Sequence, residues 1–434
     1  MAKLLTLSIL LSLLVPAHTT RTPDCGGILS PSGLSYGKSG PLCAGLHLHF
    51  CSSRNQINSV KVTELSLSLI PNAGLRLTID VDLGITPVMR LSILADLHVE
   101  MNPEGNLELV TSACKPTVEE MQSTEEIERH LGDARCQQTP ICLEVSKLLL
   151  LPNEQLISLT AQFPITPSCQ VQYLPLAAPV FSEQGITISL QTTFQVAGMA
   201  IPLPVSPVPF SMPEPVSSSP SHLTLAFSEH FYTSLFFALE TAGAFNTTIP
   251  SPLTTATIAQ KITQVGSLFQ EDLPVILRAV LRSSPGVVLE EGKAALKLFL
   301  TIHVGAGSPA FQSFLSVNAD ISAGLLLSIT DTRMTISTAG MRPSHIREKR
   351  GKAALLEELF LPTIREEVPA QMNVVLSEGI FLPHVSSFTY TDVSIVIHKV
   401  RNKTFKLLPA MFDLKGTQEQ CLPPGSRINQ SLLL

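Results

Sequence analysis

A Gly- and Ser-rich stretch near the N-terminus, SGLSYGKSG at residues 32–40, holds the first residue types that could do chemistry. Gly33, Ser35 and Gly37 match the G-x-S-x-G pattern in which a hydrolase serine lies on a sharp turn between a strand and a helix. Only GGIL precedes the pattern and GKSG follows it, so no long strand and no helix with an apolar face is at hand to position the serine. The letters Gly-Lys-Ser also close phosphate-binding loops, but such a loop needs glycine at position 32, where this chain has serine. We interpret the stretch as a Gly/Ser turn and predict no catalytic residue.

The segment CAGLHLHFC, residues 43–51, brings two cysteines and two histidines close together in the chain: Cys43, His47, His49 and Cys51. Thiolate and imidazole groups bind zinc, but the ligand pairs of structural zinc sites usually come from separate turns. A local disulfide and free thiols are the alternatives, and the alternation of both histidines with apolar residues also suits the polar face of a short strand. The sequence leaves these alternatives open, and we predict no metal ion and no cofactor.

The first residues of the chain are typical of a secretory signal. Lys3 precedes an apolar run from Leu4 to Val15, which is too short to span a bilayer, and small residues around Ala17 suit cleavage. We therefore expect a signal peptide over residues 1–17 and a secreted, extracellular protein with no integral membrane segment. Eight cysteines agree with an oxidising compartment, although their spacing does not fix their pairing. They are Cys25, Cys43, Cys51, Cys114, Cys136, Cys142, Cys169 and Cys421.

Two patterns indicate modification or processing. Sequons occur at Asn246, Asn402 and Asn429, of which we predict Asn246 as a glycosylation site. The run Arg-Glu-Lys-Arg at 347–350 fits the dibasic pattern that secretory convertases cleave. A solvated basic turn before a helix explains this run equally well, and the sequence does not decide between them.

Composition indicates a large apolar core and little chemistry. Hydrophobic residues make up 44% of the 434 residues and charged residues only 15%. The formal net charge of −6 disfavours nucleic acid as a partner. No carboxylate pair stands out by its spacing and no CxxC motif occurs. These observations favour a binding or carrier protein over an enzyme.

Segments with strict alternation predict long antiparallel strands that each bury one face. The clearest are LSILADLHVEM at 91–101, ITISLQTTFQV at 186–196 and ALKLFLTIHV at 295–304. The turn residues Asn-Pro-Glu-Gly follow the first of them, so NLELV is its expected hairpin partner.

Three segments have the spacing of amphipathic helices: 228–243, 254–270 and 353–379. In the first, Ser228 is the expected N-cap and Gly243 the expected end. In the last, Pro362 and Pro369 should kink or divide the helix.

One segment differs in composition from the rest. Residues 201–222, IPLPVSPVPFSMPEPVSSSPSH, are rich in proline and serine and almost uncharged, which predicts an extended and exposed linker. It divides the chain that follows the signal into two halves of similar size. GLRLTIDV at 74–81 and LKLFLTIHV at 296–304 resemble each other, which mildly favours two duplicated β-rich domains.

Taken in order, several segments resemble the family of bactericidal/permeability-increasing, lipopolysaccharide-binding and PLUNC proteins, which share the BPI fold. GGILSPSGLSYGKSG is similar to the family N-terminus, and NSVKVTELSLSLIPNAGLRLTIDVDL to its first long strands. HLTLAFSEHFYTSLFFALETAGAFNTTI is similar to the start of the second domain. LLEELFLPTIREEVPAQMNVVLSEGIFLPHVSSFTYTDVSIVIH is similar to the last helix and the closing strands. The resemblance covers residues 24–400 and makes the G-x-S-x-G match a coincidence.

This resemblance implies an α+β fold with two BPI-type barrels, each a long twisted antiparallel sheet with a packed helix. A central sheet and the Pro-rich linker would join the barrels into an elongated molecule. It also implies one disulfide, between Cys114 and Cys142, that ties the end of a long strand to a helix packed across it. The implied divisions are an N-terminal barrel domain with reduced helices at 22–200, the linker at 201–222, a C-terminal barrel domain at 223–400 and an atypical tail at 401–434.

The resemblance further implies apolar pockets that hold a phospholipid or similar amphiphile. The alternative function is host defence at bacterial surfaces. A cationic tip that binds lipopolysaccharide is not expected, because acidic residues outnumber basic ones between residues 60 and 105. The charged residues there are Lys61, Arg76 and Arg90 against Glu64, Asp80, Asp82, Asp96, Glu100 and Glu104.

The chain departs from the family pattern in three places. No long amphipathic helix follows GKSG, which would reduce the helical wall of the first-domain pocket. The stretch between Cys114 and Cys142 is short and highly charged. No alternating strand is recognisable around MRPSHIREKRGK at 341–352, before the last helix.

Overall fold

The computed structural model describes most of the chain between Thr22 and Lys415. The described residues are 22–36, 60–83, 89–120, 142–143, 145–202, 210, 212, 221–307, 310–347, 358–383, 390–398 and 410–415. The expected signal peptide, the CAGLHLHFC segment, Cys136, Cys421 and the sequons at Asn402 and Asn429 lie outside them.

A four-stranded antiparallel sheet comes first, with its strands in chain order. The predicted hairpin after residues 91–101 is confirmed, because Asn102 closes the turn by accepting the N–H of Gly105 on its carbonyl (2.9 Å) and that of Asn106 on its side chain (2.9 Å). The strands are β2 (Val60–Ile70), β3 (Gly74–Leu83), β4 (Met89–Met101) and β5 (Leu107–Glu120).

A nine-stranded antiparallel sheet, named here the central sheet, joins the two halves of the chain. Strand β1 (Cys25–Leu29) lies between β9 (Gly185–Val196) and β11 (Leu223–Phe227), so the N-terminal strand pairs with strands on both sides of the Pro-rich segment. The other strands of this sheet are β6 (Gln162–Thr166), β7 (Cys169–Pro175), β8 (Val180–Ser182), β10 (Met199–Ala200), β18 (Thr391–Val396) and β19 (Ala410–Lys415).

A six-stranded antiparallel sheet forms most of the second half, also with its strands in chain order. Side chains along its long strands alternate between buried and more exposed, so one face packs into the core and the other faces outward. Its strands are β12 (Thr247–Thr254), β13 (Pro274–Glu290), β14 (Lys293–Ala306), β15 (Gln312–Thr330), β16 (Arg333–Arg347) and β17 (Ile380–Phe381).

Helices pack against these sheets. The first predicted helix is confirmed: Ser228 accepts the N–H of Phe231 at 3.1 Å as its N-cap, and Gly243 follows its end with a positive φ of 78°. The helices are α1 (Pro31–Tyr36), α2 (Leu150–Ser158), α3 (Glu229–Thr241), α4 (Thr255–Ala259), α5 (Thr263–Leu268) and α6 (Leu361–Leu376).

The other two helical predictions need correction. Residues 254–270 form two short helices, α4 and α5, instead of one, and Ile262 between them has an extended backbone. Pro362 lies in the first turn of α6, where a missing N–H costs no hydrogen bond, so it starts the helix instead of kinking it. Pro369 lies inside α6.

The prediction that no strand lies around residues 341–352 is wrong up to Arg347. Strand β16 continues to Arg347 and pairs with β15, with Pro343 opposite Ile321 beside a shift in register. Beyond Met334, β16 has no described partner on its other side, and a proline is tolerated on such an edge because no N–H is needed there.

The prediction that the Pro-rich segment is exposed is wrong at Phe210, which is only 7% exposed. Met212 also packs onto β1: a Cβ placed on Gly26 would lie 2.7 Å from its sulfur atom. The described part of this segment therefore buries one apolar side chain and packs a second against the central sheet.

Buried apolar residues form two clusters. The larger core lies under the six-stranded sheet and continues under the central sheet, where Phe227, Phe231 and Tyr232 pack their rings together. The smaller core lies under the four-stranded sheet and includes Phe181 and Ile186 from β8 and β9.

Candidate functional site

Helix α1 is anchored to the central sheet at its first turn. Ser30 Oγ accepts the N–H of Gly33 and donates to the carbonyl of His222, both at 3.1 Å. A Cβ on Gly33 would lie 2.2 Å from the carbonyl oxygen of His222, so this close approach requires glycine. The first glycine of the G-x-S-x-G pattern therefore has a packing role.

Ser35 lies inside α1. The predicted Gly/Ser turn is wrong over residues 31–36, because they form this helix. A nucleophile elbow holds its serine on the turn between a strand and a helix, and Ser35 does not occupy such a turn.

A pocket of about 400 Å³ opens between α1, β2 and the turn that joins β8 to β9. Leu34, Leu67 and Leu69 are half-buried in its wall and pack against the smaller core. The complete lining is Pro31, Leu34, Leu67, Ser68, Leu69, Pro71 and Glu183. Five of these seven side chains are apolar, so the pocket suits a hydrocarbon group.

Glu183 and Ser68 are the polar residues of this pocket. Both are exposed, which places them at its rim. No lysine or arginine of the described residues lines the pocket. The rim is therefore suited to a neutral or cationic head group and unsuited to an isolated phosphate.

Sequence reasoning did not find this pocket. The lining comes from one helix, one strand and two turns that lie far apart in the chain, and each contributes only one to three residues. Alternation in β2 marks Leu65, Leu67 and Leu69 as one face of a strand, but the same pattern describes any half-buried strand.

Two arginines of the four-stranded sheet form ion pairs with carboxylates of the same sheet. Arg76 Nε lies 2.8 Å from Asp96 Oδ1, and Arg90 Nε lies 3.0 Å from Asp82 Oδ1. The hydrogen bond from Arg76 lowers the pKa of Asp96 below its usual value. Both arginines are thus occupied by carboxylates.

The two other predicted sites do not line the pocket. Cys114 on β5 is bonded to Cys142, with their Cα atoms 5.9 Å apart, which is the pair that the family resemblance implies. The side chain of Asn246 is exposed in the turn after α3, where a glycan could be attached.

A second group of polar residues is buried where β1, β9 and α3 meet. Asp24 Oδ1 accepts hydrogen bonds from the backbone N–H of Thr192 (2.8 Å) and from its hydroxyl (3.0 Å). His230 Nδ1 lies 3.8 Å from Asp24 Oδ2, and the backbone N–H of Ser228 donates to the carbonyl of Asp24 (2.9 Å). These residues connect β1, β9 and α3. Because Asp24 and His230 are only 2% and 7% exposed, a substrate cannot reach them.

The described residues hold no cluster of three or more His, Cys, Asp or Glu side chains arranged to bind a metal ion. Among the described helices, none has both the length and the apolar character needed to cross a membrane.

Comparison with known proteins decides the family. A model of the C-terminal domain of the LBP/BPI/CETP family matches residues 165–403. Protein TENP from Gallus gallus is 58% identical to this chain, over 94% of this chain and 99% of its own length. The chain belongs to the LBP/BPI/CETP family. The resemblance read from the sequence is confirmed.

Other LBP/BPI/CETP relatives are more distant. BPI fold-containing family B member 2 from Homo sapiens is 25% identical over 91% of this chain and 96% of its own length. The crystal structure of lipopolysaccharide binding protein superimposes with a TM-score of 0.51 at 16% identity, over 92% of this chain and 99% of that one. This structure shows that the chain has the BPI/LBP fold, built mostly of strands with few helices. The LBP/BPI/CETP family is not a family of enzymes.

Proposed function

We propose that this protein is secreted and binds a phospholipid or similar amphiphile, with a hydrocarbon chain in the pocket between α1 and β2. The observation that carries the proposal is the apolar lining of that pocket in a member of the LBP/BPI/CETP family. Its volume of about 400 Å³ is at the small end of the range typical of ligand pockets, which suits one chain of an amphiphile.

The binding energy would come from the hydrophobic effect. Each methylene group removed from water contributes about 0.8 kcal/mol, so a chain of several methylenes gives a useful affinity without any charged contact. Glu183 at the rim would favour a zwitterionic or cationic head group, because its carboxylate attracts an ammonium group and repels a phosphate.

Secretion is proposed from the signal-like N-terminus and from the Cys114–Cys142 disulfide, since disulfides persist in oxidising compartments. The two-barrel arrangement, with the domain limits and linker predicted from the sequence, is proposed with it. Host defence at bacterial surfaces is the second candidate, favoured by the likeness to the family of lipopolysaccharide binding protein.

Organic extraction of the purified protein, followed by mass spectrometry of the extract, tests the lipid proposal. We expect an amphiphile in stoichiometric amount from the wild-type protein. Ser68→Trp should lower that amount, because the new ring would occupy the pocket. Ser337→Trp is the matched control, since Ser337 is also an exposed strand serine but lies on β16. An extract without amphiphile, or equal amounts from both variants, would refute the assignment of the pocket.

A further inference from the structure

The long strands of the six-stranded sheet are strongly basic in a chain whose net charge is −6. Strands β13 to β16 contain seven arginine or lysine residues and only two acidic ones, Glu290 and Asp320. The four-stranded sheet β2 to β5 has the opposite balance, with four basic and eight acidic residues. The basic residues of β13 to β16 are Arg278, Arg282, Lys293, Lys297, Arg333, Arg342 and Arg347.

Five of these cations are exposed. Lys293 lies opposite the acidic Glu290 next to the β13–β14 turn, and the other four are Arg278, Arg282, Lys297 and Arg342. We name their surface the basic face. Leu277 and Ala279 beside Arg278, and Leu296 and Leu298 beside Lys297, are buried in the larger core, so these two cations point away from it. In register, Lys297 lies opposite Ser322, and Ser322 lies opposite Arg342, which aligns two cations across three strands.

The cations of the basic face are poorly neutralised. Arg278 stacks on the ring of Phe311 at 4.2 Å, a contact that keeps its positive charge. Arg282 forms an ion pair with Asp320, the only acidic side chain that the described strands place among these cations. Neither Lys297 nor Arg342 forms a hydrogen bond or an ion pair with any described residue. Exposed hydroxyl and amide groups on β15, from Ser316 and Asn318, add further polar groups to the same surface.

We propose that the basic face binds an anionic lipid surface. The cations lie on three strands, β13, β14 and β16, which span about 14 Å across the sheet at roughly 4.8 Å per strand, and the two on β13 are four residues apart. A two-dimensional array of separated charges matches the phosphate plane of a bilayer. A single-stranded polyanion would instead be expected to follow one linear track, with aromatic side chains between the cations on which bases stack. The proposal goes beyond the pocket-bound amphiphile and does not depend on it.

The affinity would be electrostatic. A lysine or arginine near an anionic membrane surface contributes a factor of about five in binding, and the effect falls off within a Debye length. Reversing two of the four cations should therefore weaken binding by at least about thirtyfold, and raising the salt concentration should weaken binding of the wild-type protein.

Sedimentation with vesicles tests the basic face. The full chain is mixed with vesicles of phosphatidylcholine alone and of phosphatidylcholine with phosphatidylglycerol. We expect binding to the anionic vesicles only, and its loss in Lys297→Glu/Arg342→Glu. The matched control is Lys115→Glu/Arg365→Glu, which makes the same change in net charge at exposed positions on β5 and α6 and should retain wild-type binding.

Several outcomes would overturn the proposal. These are equal binding to both kinds of vesicle, equal loss in both double variants, and binding to single-stranded RNA or heparin with none to anionic vesicles. Circular dichroism and a thermal melt establish that each variant is folded, and Lys297→Gln/Arg342→Gln replaces the glutamate variant if that one is not. Extraction of a pocket amphiphile is measured separately, so failure of one proposal leaves the other to be judged on its own result.

Discussion

Cys25 and Cys169 show how burial controls a side chain that the sequence alone leaves undefined. Both are free thiols in the structure, although any of the eight cysteines could have been paired on spacing alone. Burial raises the pKa of Cys169 to about 11. Burial also raises the pKa of Cys25, and the neighbouring charge of Asp24 adds to this effect. Since the thiolate is the reactive form, both residues should be inert at neutral pH.

We therefore expect iodoacetamide to leave Cys25 and Cys169 unmodified in the native protein at neutral pH and to modify both in urea. Labelling of the native protein should increase only as the pH rises towards about 11, the pKa of Cys169. Peptide mapping of the same samples should recover Cys114 joined to Cys142. Rapid labelling of either thiol in the native protein would contradict the buried position of β1 or β7.

At the scale of elements, helix α3 allows the stability effect of an N-cap to be measured separately from that of a buried polar group. Ser228 at the N-cap accepts the N–H of Phe231, so Ser228→Ala should lower the free energy of unfolding by about 1 kcal/mol. Ser234 on the same helix is 1% exposed, and its hydroxyl has no hydrogen-bond partner among the residues that the structure describes. Ser234→Ala should therefore be neutral or stabilising, because it removes an unsatisfied buried hydroxyl. Urea denaturation of both variants measures the difference, and equal destabilisation would contradict it.

An element could be predicted from the sequence where short-range signals determine it, and was missed where contacts between distant segments do. The strand at 295–304 and the capped helix at 228–243 follow from side-chain alternation and from Ser228 and Gly243, which are short-range signals. The end of β16 was missed because Pro343 looks incompatible with a strand, and only the sheet order reveals that this part of β16 is an edge. Phe210 was predicted to be exposed because its segment is rich in proline and serine, whereas the folded chain buries it.

At the scale of the whole molecule, the candidate sites depend on which elements meet. The pocket combines Leu34 with Leu67 and Glu183, whose positions in the chain are too far apart for any pattern to link them. The basic face combines cations from three strands, and its signal in the sequence is the excess of basic residues in β13 to β16. These strands lie outside residues 60–105, the range in which a cationic tip was considered. The net charge of the chain hides this separation of acidic and basic sheets.

The central sheet also predicts how the two halves of the chain behave when separated. Strand β1 pairs with β11 through five residue pairs, Ser30 binds the carbonyl of His222, and the larger core includes Phe194 from the first half with Phe231 from the second. Cleavage of the chain between these halves would therefore leave most of their shared buried surface intact.

A specific protease site inserted after Ser218, in the proposed linker, tests this. After cleavage we expect both fragments to elute together in size-exclusion chromatography under native conditions and separately in denaturant. The cleaved protein should also unfold in a single transition, because the two fragments still share the larger core. If the fragments separated without denaturant, the pairing of β1 with β11 would not be what holds the halves together, and the two domains would be independent bodies joined only by the linker.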